Sequence, residues 1–150
     1  MAWKPVQPGQ VHDHTVQILI DADNLDVPRL RLLVAALQAA PSGDVVIAGA
    51  PTALEAVDWP LQAQVLPAIG WQGADILLAR AYRPDDRPLL LATGDGDFAQ
   101  LARRHPGIVL VVGGTSSRSR TFAGPRISTT DPAADGGAQL RSWLDRHTML

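Results

Sequence analysis

Short apolar runs rich in β-branched residues alternate with helix-like segments along this chain of 150 residues. Residues 15–20 form the first such run, and the segment 28–40 that follows it carries apolar residues at helical spacing. A continuous apolar run bounded by turn residues is typical of a strand that is covered on both faces. Repeated strand–helix units therefore predict an α/β fold with a mostly parallel sheet and helices on both of its faces.

The rest of the chain follows the same alternation. Strands are expected at 15–20, 44–48, 64–67, 89–93 and 108–112, and helices at 28–40, 52–57, 74–82, 98–104 and 134–146. The segment 113–125 is rich in Gly, Ser and Arg and is expected to be a loop. We expect residues 1–14 to form an N-terminal tail and residues 15–150 a single domain, in which 121–150 is a C-terminal extension with a closing helix.

Composition narrows the class of protein. Hydrophobic residues make up 46% of the chain, which is enough for a packed core and excludes wholesale disorder. The absence of cysteine excludes a disulfide scaffold and a thiolate nucleophile. The net charge of −2 excludes a strongly basic nucleic-acid coat protein. Neither a secretory signal nor a membrane-spanning run of ~20 apolar residues is present, so a cytoplasmic protein without membrane contact is expected.

Acidic residues follow two of the predicted strands. Asp21 comes directly after the first strand, with Asp23 two residues later, and Asp95 and Asp97 follow the strand 89–93. Asp75 lies at the start of a predicted helix that can face the ends of these two strands. Because ligands bind outside the carboxyl ends of the strands in an open α/β sheet, we expect these carboxylates to meet at that edge.

Such a group of carboxylates favours a bound cation. Two like charges about 4 Å apart cost about 4 kcal/mol at an effective dielectric constant of about 20, and a divalent cation removes that cost. Oxygen ligands suit Mg²⁺ or Mn²⁺, and a metal held by carboxylates activates water and neutralises charge in phosphoryl chemistry. The alternative for Asp75 and Asp97 is that each simply caps a helix.

Two other motif matches are weaker. The run GDGDFA at 94–99 fits the dinucleotide pattern G-x-G-x-x-A, but its two aspartates would repel a pyrophosphate. The runs ILIDADNL and TGDGD resemble motifs of haloacid-dehalogenase-type phosphatases, which normally use a lysine to hold phosphate charge. This chain has no lysine after Lys4, so a phosphatase is the least favoured alternative.

Four runs together resemble the NYN domain, a branch of the PIN-like metal-dependent ribonucleases. They are ILIDADNL (18–25), GADILLAR (73–80), LLLATGDGDFAQLARR (89–104) and IVLVVGG (108–114). The most specific element is the S/T-G-D-x-D-F signature at 93–98, and the resemblance covers roughly residues 15–119. It implies a Rossmann-like three-layer α/β/α sandwich of PIN-like type, an acidic pocket that binds Mg²⁺ or Mn²⁺, and hydrolysis of RNA phosphodiester bonds. Compact PIN-like domains often pair, so a homodimer is also compatible with it.

The resemblance assigns roles by position. The residues matching the family's acidic metal-binding and catalytic positions are Asp21, Asp75, Asp95 and Asp97, and Asn24 matches its Asn after the first strand. We expect Asn24 to bond a phosphate oxygen or to fix Asp21. Residues that could contact RNA phosphates, through hydroxyl and guanidinium groups, are Thr93, Ser116, Ser117, Arg118 and Arg120. Arg80, Arg83 and Arg87 are expected either to extend a basic rim or to form a charged helix end.

The chain departs from the NYN pattern at two places. The family often has a lysine where this chain has Trp71-Gln72, and a further aspartate where it has Ala81. These departures favour an alternative function, an RNA-binding or regulatory module whose pocket cleaves weakly or not at all.

Overall fold

The computed structural model describes residues 16–39, 43–69, 73–114 and 122–148. In this part of the chain a single sheet holds six strands in the order β3-β2-β1-β4-β5-β6, and every neighbouring pair is parallel. The strands are β1 Gln17–Asp21, β2 Asp44–Gly49, β3 Gln64–Pro67, β4 Leu89–Ala92, β5 Val109–Val112 and β6 Ile127–Thr130. The strand order reverses between β1 and β4, which is the arrangement of Rossmann-type sheets.

Helices cover both faces of the sheet. They are α1 Val27–Ala39, α2 Pro51–Leu54, α3 Ala74–Ala81, α4 Ala99–Arg104, α5 Pro132–Asp135 and α6 Ala138–Thr148, and short 3₁₀ turns lie at Ala22–Asn24 and Gly96–Phe98. None of the described helices is long and apolar enough to cross a lipid bilayer.

Alternation along the strands builds two apolar clusters, because successive side chains of a strand point to opposite faces. Ile18 and Ile20 of β1 belong to the cluster that α1 and α6 cover. Leu19 of β1 and Leu91 of β4 belong to the second cluster, which α3 and α4 cover. The predicted three-layer α/β architecture of Rossmann-like type is therefore confirmed.

The structure differs from the sequence expectation near the C-terminus. The strand β6 was not predicted, because its sequence ISTT lacks an apolar run and its strand conformation depends on pairing with β5. The closing helix expected at 134–146 is instead divided into α5 and α6. Gly136 and Gly137 separate them with φ angles of +66° and +85°, a left-handed conformation that ends a helix.

Several smaller expectations are also revised. The helix expected at 52–57 is the shorter α2, and the helix expected from residue 98 begins one residue later, after the turn Gly96–Phe98. The tail expected at 1–14 lies outside the described residues. So do Ser116, Ser117, Arg118 and Arg120, so their predicted contacts with RNA stay predictions.

Candidate metal centre

Three carboxylates converge at the carboxyl edge of the sheet. Asp75 lies in the first turn of α3, and Asp95 and Asp97 lie in the connection from β4 to α4. One oxygen atom from each of the three lies within 4.8 Å of the others, so this group could hold a metal ion. Asp75 and Asp95 are partly buried and Asp97 is exposed, which leaves the group open to solvent on one side.

Local hydrogen bonds shape the turn that carries two of these acids. The Thr93 hydroxyl accepts a bond from the Asp95 backbone N–H at 3.1 Å, and Asp95 Oδ1 accepts one from the Asp97 N–H at 3.0 Å. Asp95 is thus the capping residue of the 3₁₀ turn Gly96–Phe98. Thr93 is buried at the end of β4 and contributes to the shape of this turn. Its contact with substrate stays a prediction.

The other two acids lie in first turns, Asp75 in that of α3 and Asp97 in that of Gly96–Phe98. The residues that precede α3 and α4, Gly73 and Phe98, make no side-chain capping bond. A carboxylate in a first turn favours the helix N-terminus, so the capping alternative for Asp75 and Asp97 stays a prediction beside that of metal binding.

Asp21 is a buried carboxylate beside this group. It is the last residue of β1, shares the face of the sheet occupied by Leu19, and is 5% exposed. The Asp23 backbone N–H donates to its Oδ1 at 3.2 Å. The pKa of Asp21 is raised from 3.8 to about 6, mainly by burial; the Asp23 hydrogen bond lowers it, and the charges of Asp23, Asp95 and Asp75 raise it. Asp21 is therefore close enough to Asp95 and Asp75 for electrostatic repulsion.

Two side chains after β1 tie the surrounding turns together. Asn24 Oδ1 accepts a hydrogen bond from the Gly94 N–H at 2.7 Å, and Asp23 Oδ1 accepts one from the Ala50 N–H at 2.9 Å. Gly49 allows the turn Ala22–Asn24 to approach β2, since a Cβ atom there would lie 2.9 Å from the Ala22 Cβ. Asn24 thereby holds the turn after β4 against the turn after β1. Asp23 is a structural residue at the site.

The ion pairs among the described residues lie elsewhere. Arg29 pairs with Asp26 and Asp131, and Arg87 pairs with Asp85 and Asp44. Within the described ranges, Asp21, Asp75, Asp95 and Asp97 form no ion pair with an arginine. The negative charge of the site is consequently not neutralised by that part of the protein.

The basic rim predicted from Arg80, Arg83 and Arg87 is wrong for two of its members. Helix α3 carries the chain back toward the amino edge of the sheet, where the Arg83 N–H donates to Gln17 Oε1 at 2.7 Å. Arg87 is buried and bonds Asp44, the first residue of β2. Both arginines therefore lie at the edge opposite the carboxylates, and Arg80 is exposed in the last turn of α3.

A groove adjoins the carboxylates and was not predicted from the sequence. Its volume is about 190 Å³, and its lining residues are Asp75, Ile76, Ala79, Asp97, Phe98 and Leu101. The sequence shows only that an apolar residue, Ile76, follows Asp75. That Ile76 lines a groove together with residues from the start of α4 is seen only in the structure.

The fold and this site define a doubly wound α/β protein with a carboxylate cluster, able to hold a metal ion, at the carboxyl edge of its sheet. No protein-family model matches the chain, and neither the curated proteins nor the solved structures include a significant match.

Proposed function

We propose that this protein is a metal-dependent ribonuclease of the NYN type that hydrolyses RNA phosphodiester bonds. The observation that carries the proposal is the convergence of Asp75, Asp95 and Asp97, whose oxygen atoms lie within 4.8 Å of one another. Asp75 comes from α3 and the other two from the connection between β4 and α4, and their position outside the carboxyl ends of parallel strands is where such folds bind substrates.

The donor set fits Mg²⁺ or Mn²⁺, because all candidate ligands are carboxylate oxygens. Bound there, such an ion supplies a water of lowered pKa and neutralises charge on the phosphate. Asp75, Asp95 and Asp97 would hold the ion, and the hydrogen bonds from Asp97 N–H to Asp95 and from Asp95 N–H to Thr93 keep the turn in place. Asp21 would add a fourth negative charge near Asp75 and Asp95. In this proposal Ser116, Ser117, Arg118 and Arg120 contact the RNA backbone.

Cleavage of single-stranded RNA in Mn²⁺ tests this proposal. We expect cutting in Mn²⁺ or Mg²⁺, no cutting with EDTA, and a loss of at least a hundredfold in Asp95→Asn. The amide oxygen of Asn can still accept the Asp97 N–H bond, so the turn is retained while a charge is lost. Asp86→Asn is the matched control, because Asp86 is exposed in the loop between α3 and β4 at the amino edge of the sheet. Cutting that persists in EDTA or in Asp95→Asn contradicts the proposal.

A second candidate is an RNA-binding or regulatory module that cleaves weakly or not at all. The observation that favours it is the position of Ala81, where NYN domains often carry an aspartate. Ala81 is the last residue of α3 and packs against the apolar cluster below that helix, so it supplies no ligand. RNA binding without metal-dependent cutting in the same assay would support this candidate. A cytoplasmic location and a homodimer stay predictions, as does the phosphatase alternative.

A further inference from the structure

The groove between α3 and α4 begins at the carboxylate cluster. Asp75 and Asp97 belong to both, so a ligand in the groove is continuous with a cation held by the cluster. Beyond these acids the walls are apolar: Ile76 and Ala79 come from α3, and Phe98 and Leu101 from the chain that enters α4. Ile76 is 37% exposed, so part of this apolar surface is open to water.

The distribution of charge selects the chemistry of an occupant. A free anion would be repelled by Asp75 and Asp97, and a cation alone would leave the apolar walls exposed. If Asp75, Asp95 and Asp97 hold a divalent cation, a ligand with an uncharged flat ring and an attached phosphate matches both parts of the groove: the ring would cover the apolar walls and the phosphate would lie at the neutralised acidic end.

We propose that this groove holds one unpaired nucleobase of the RNA, next to the phosphate that lies at the metal centre; this rests on the proposed function. The volume of about 190 Å³ is below that of pockets for drug-sized ligands, which run from ~300 Å³ upward, so it has room for one base and not for a base pair. Proteins that act on single strands turn bases out onto apolar and aromatic side chains, whereas paired bases stay stacked. The substrate is therefore single-stranded at this position.

The methyl resonances of Ile76, Ala79 and Leu101 test the proposal without requiring catalysis. In a Mg²⁺ buffer, titration with adenosine 5′-monophosphate is expected to shift these resonances saturably, because the ring current of a bound base acts on them. Ala79→Phe fills the groove and is expected to abolish the shifts of the Ile76 and Leu101 methyl groups, which remain in the variant. Ala39→Phe, at an exposed position on α1, is the matched control and is expected to leave them unchanged.

The two proposals fail in different ways in this experiment. The amide resonances of Gly94 and Gly96, which flank Asp95, report on Mg²⁺ in the absence of nucleotide. Their failure to respond contradicts the proposed metal centre. Methyl resonances that do not move with adenosine 5′-monophosphate, or that move equally in Ala79→Phe, overturn the nucleobase groove even when RNA is cleaved.

Cleavage gives a second readout of the groove. An RNA strand with one abasic nucleotide is expected to lose at least tenfold in kcat/KM when that nucleotide adjoins the scissile phosphate, and the same strand in a duplex is expected to resist cutting. Equal rates of cleavage for the single strand and the duplex would overturn the proposal that the groove holds an unpaired base.

Discussion

Among single residues, Asp21 shows how the acidic site lowers the stability of the folded protein. Its carboxylate is buried at the end of β1 and faces the charges of Asp95 and Asp75, so its ionised form is disfavoured in the folded protein. A group with these surroundings is unfavourable for folding unless a cation neutralises its neighbours.

Asp21→Asn is expected to stabilise the metal-free protein at neutral pH. The folded protein holds the Asp21 proton more tightly, with a pKa of about 6 against 3.8, so the stability it provides in acid is lost as the pH rises through that window. The shift corresponds to roughly 3 kcal/mol as an upper estimate, at 1.36 kcal/mol per pKa unit.

Thermal denaturation without metal, at pH values below, within and above the window between 3.8 and about 6, measures this effect. Asp21→Asn should have a raised or unchanged melting temperature at pH 7, and its curve should vary less with pH than that of the wild type. A loss of about 3 kcal/mol or more in the variant would instead show that the Asp21 carboxylate stabilises the fold.

At the scale of elements, the sequence predicted the strands whose stability comes from local apolar character. The buried runs of β1 and β4 were recognisable because parallel strands covered on both faces are continuously apolar. Strand β6 was not, since ISTT becomes a strand only through its pairing with β5. The division between α5 and α6 was also missed, although Gly136 and Gly137 were visible in the sequence as residues that permit positive φ.

The turns after β1 and β4 should be coupled through Asn24. Asn24→Ala removes the acceptor for the Gly94 N–H, which lies on a buried residue, and an unpaired buried donor costs about 1–3 kcal/mol. We expect a loss of stability of that size in urea denaturation, together with weaker Mn²⁺ binding, because the turn that carries Asp95 is no longer held.

Asp23→Asn is the control for this change. Its amide oxygen can still accept the Ala50 N–H bond, so the turn after β1 is preserved and Mn²⁺ binding should change little. Unaltered stability and unaltered Mn²⁺ affinity in Asn24→Ala would contradict the assigned role of Asn24.

At the scale of the whole molecule, the two edges of the sheet differ in chemistry. At the carboxyl edge lie acids that pair with no arginine among the described residues, whereas at the amino edge Arg87 bonds Asp85 at 2.9 Å and Asp44 at 3.2 Å. Beside this pair the buried His105 ring bonds the Arg87 carbonyl through Nε2 at 2.6 Å and the Tyr82 hydroxyl through Nδ1 at 2.7 Å. Since a carbonyl only accepts, Nε2 carries the proton, and the neutral ring accepts from Tyr82 at Nδ1.

His105 should make the protein less stable in acid. Burial lowers the pKa of His105; the hydrogen bond to the Arg87 carbonyl and the charge of Asp85 oppose this effect, and the charges of Arg126 and Arg87 add to it least. The unfolded chain therefore binds a proton more readily, and stability falls as the pH drops below 6.5. His105→Gln should remove this fall, as measured by urea denaturation from pH 7 downward, and the Asp21 effect has the opposite sign. A fall of the same size in His105→Gln would contradict this assignment.

The sequence predicted those parts of the candidate site whose position follows from the order and direction of the strands. Asp21, Asp75 and Asp95 could be assigned to one edge because parallel strands align their carboxyl ends there. The groove beside them could not, because it depends on the distance between α3 and α4 and on which side of α3 Ile76 occupies. The positions of Arg83 and Arg87 could not be predicted for the same reason. They lie at the amino edge of the sheet because α3 returns the chain to that edge.

Anomalous diffraction from a crystal soaked in Mn²⁺ shows whether the three carboxylates bind a metal ion. We expect a strong peak at ligand distance from carboxylate oxygens of Asp75, Asp95 and Asp97, and loss of that peak in Asp95→Asn. No peak among these three residues, with Mn²⁺ bound elsewhere or not at all, would contradict it.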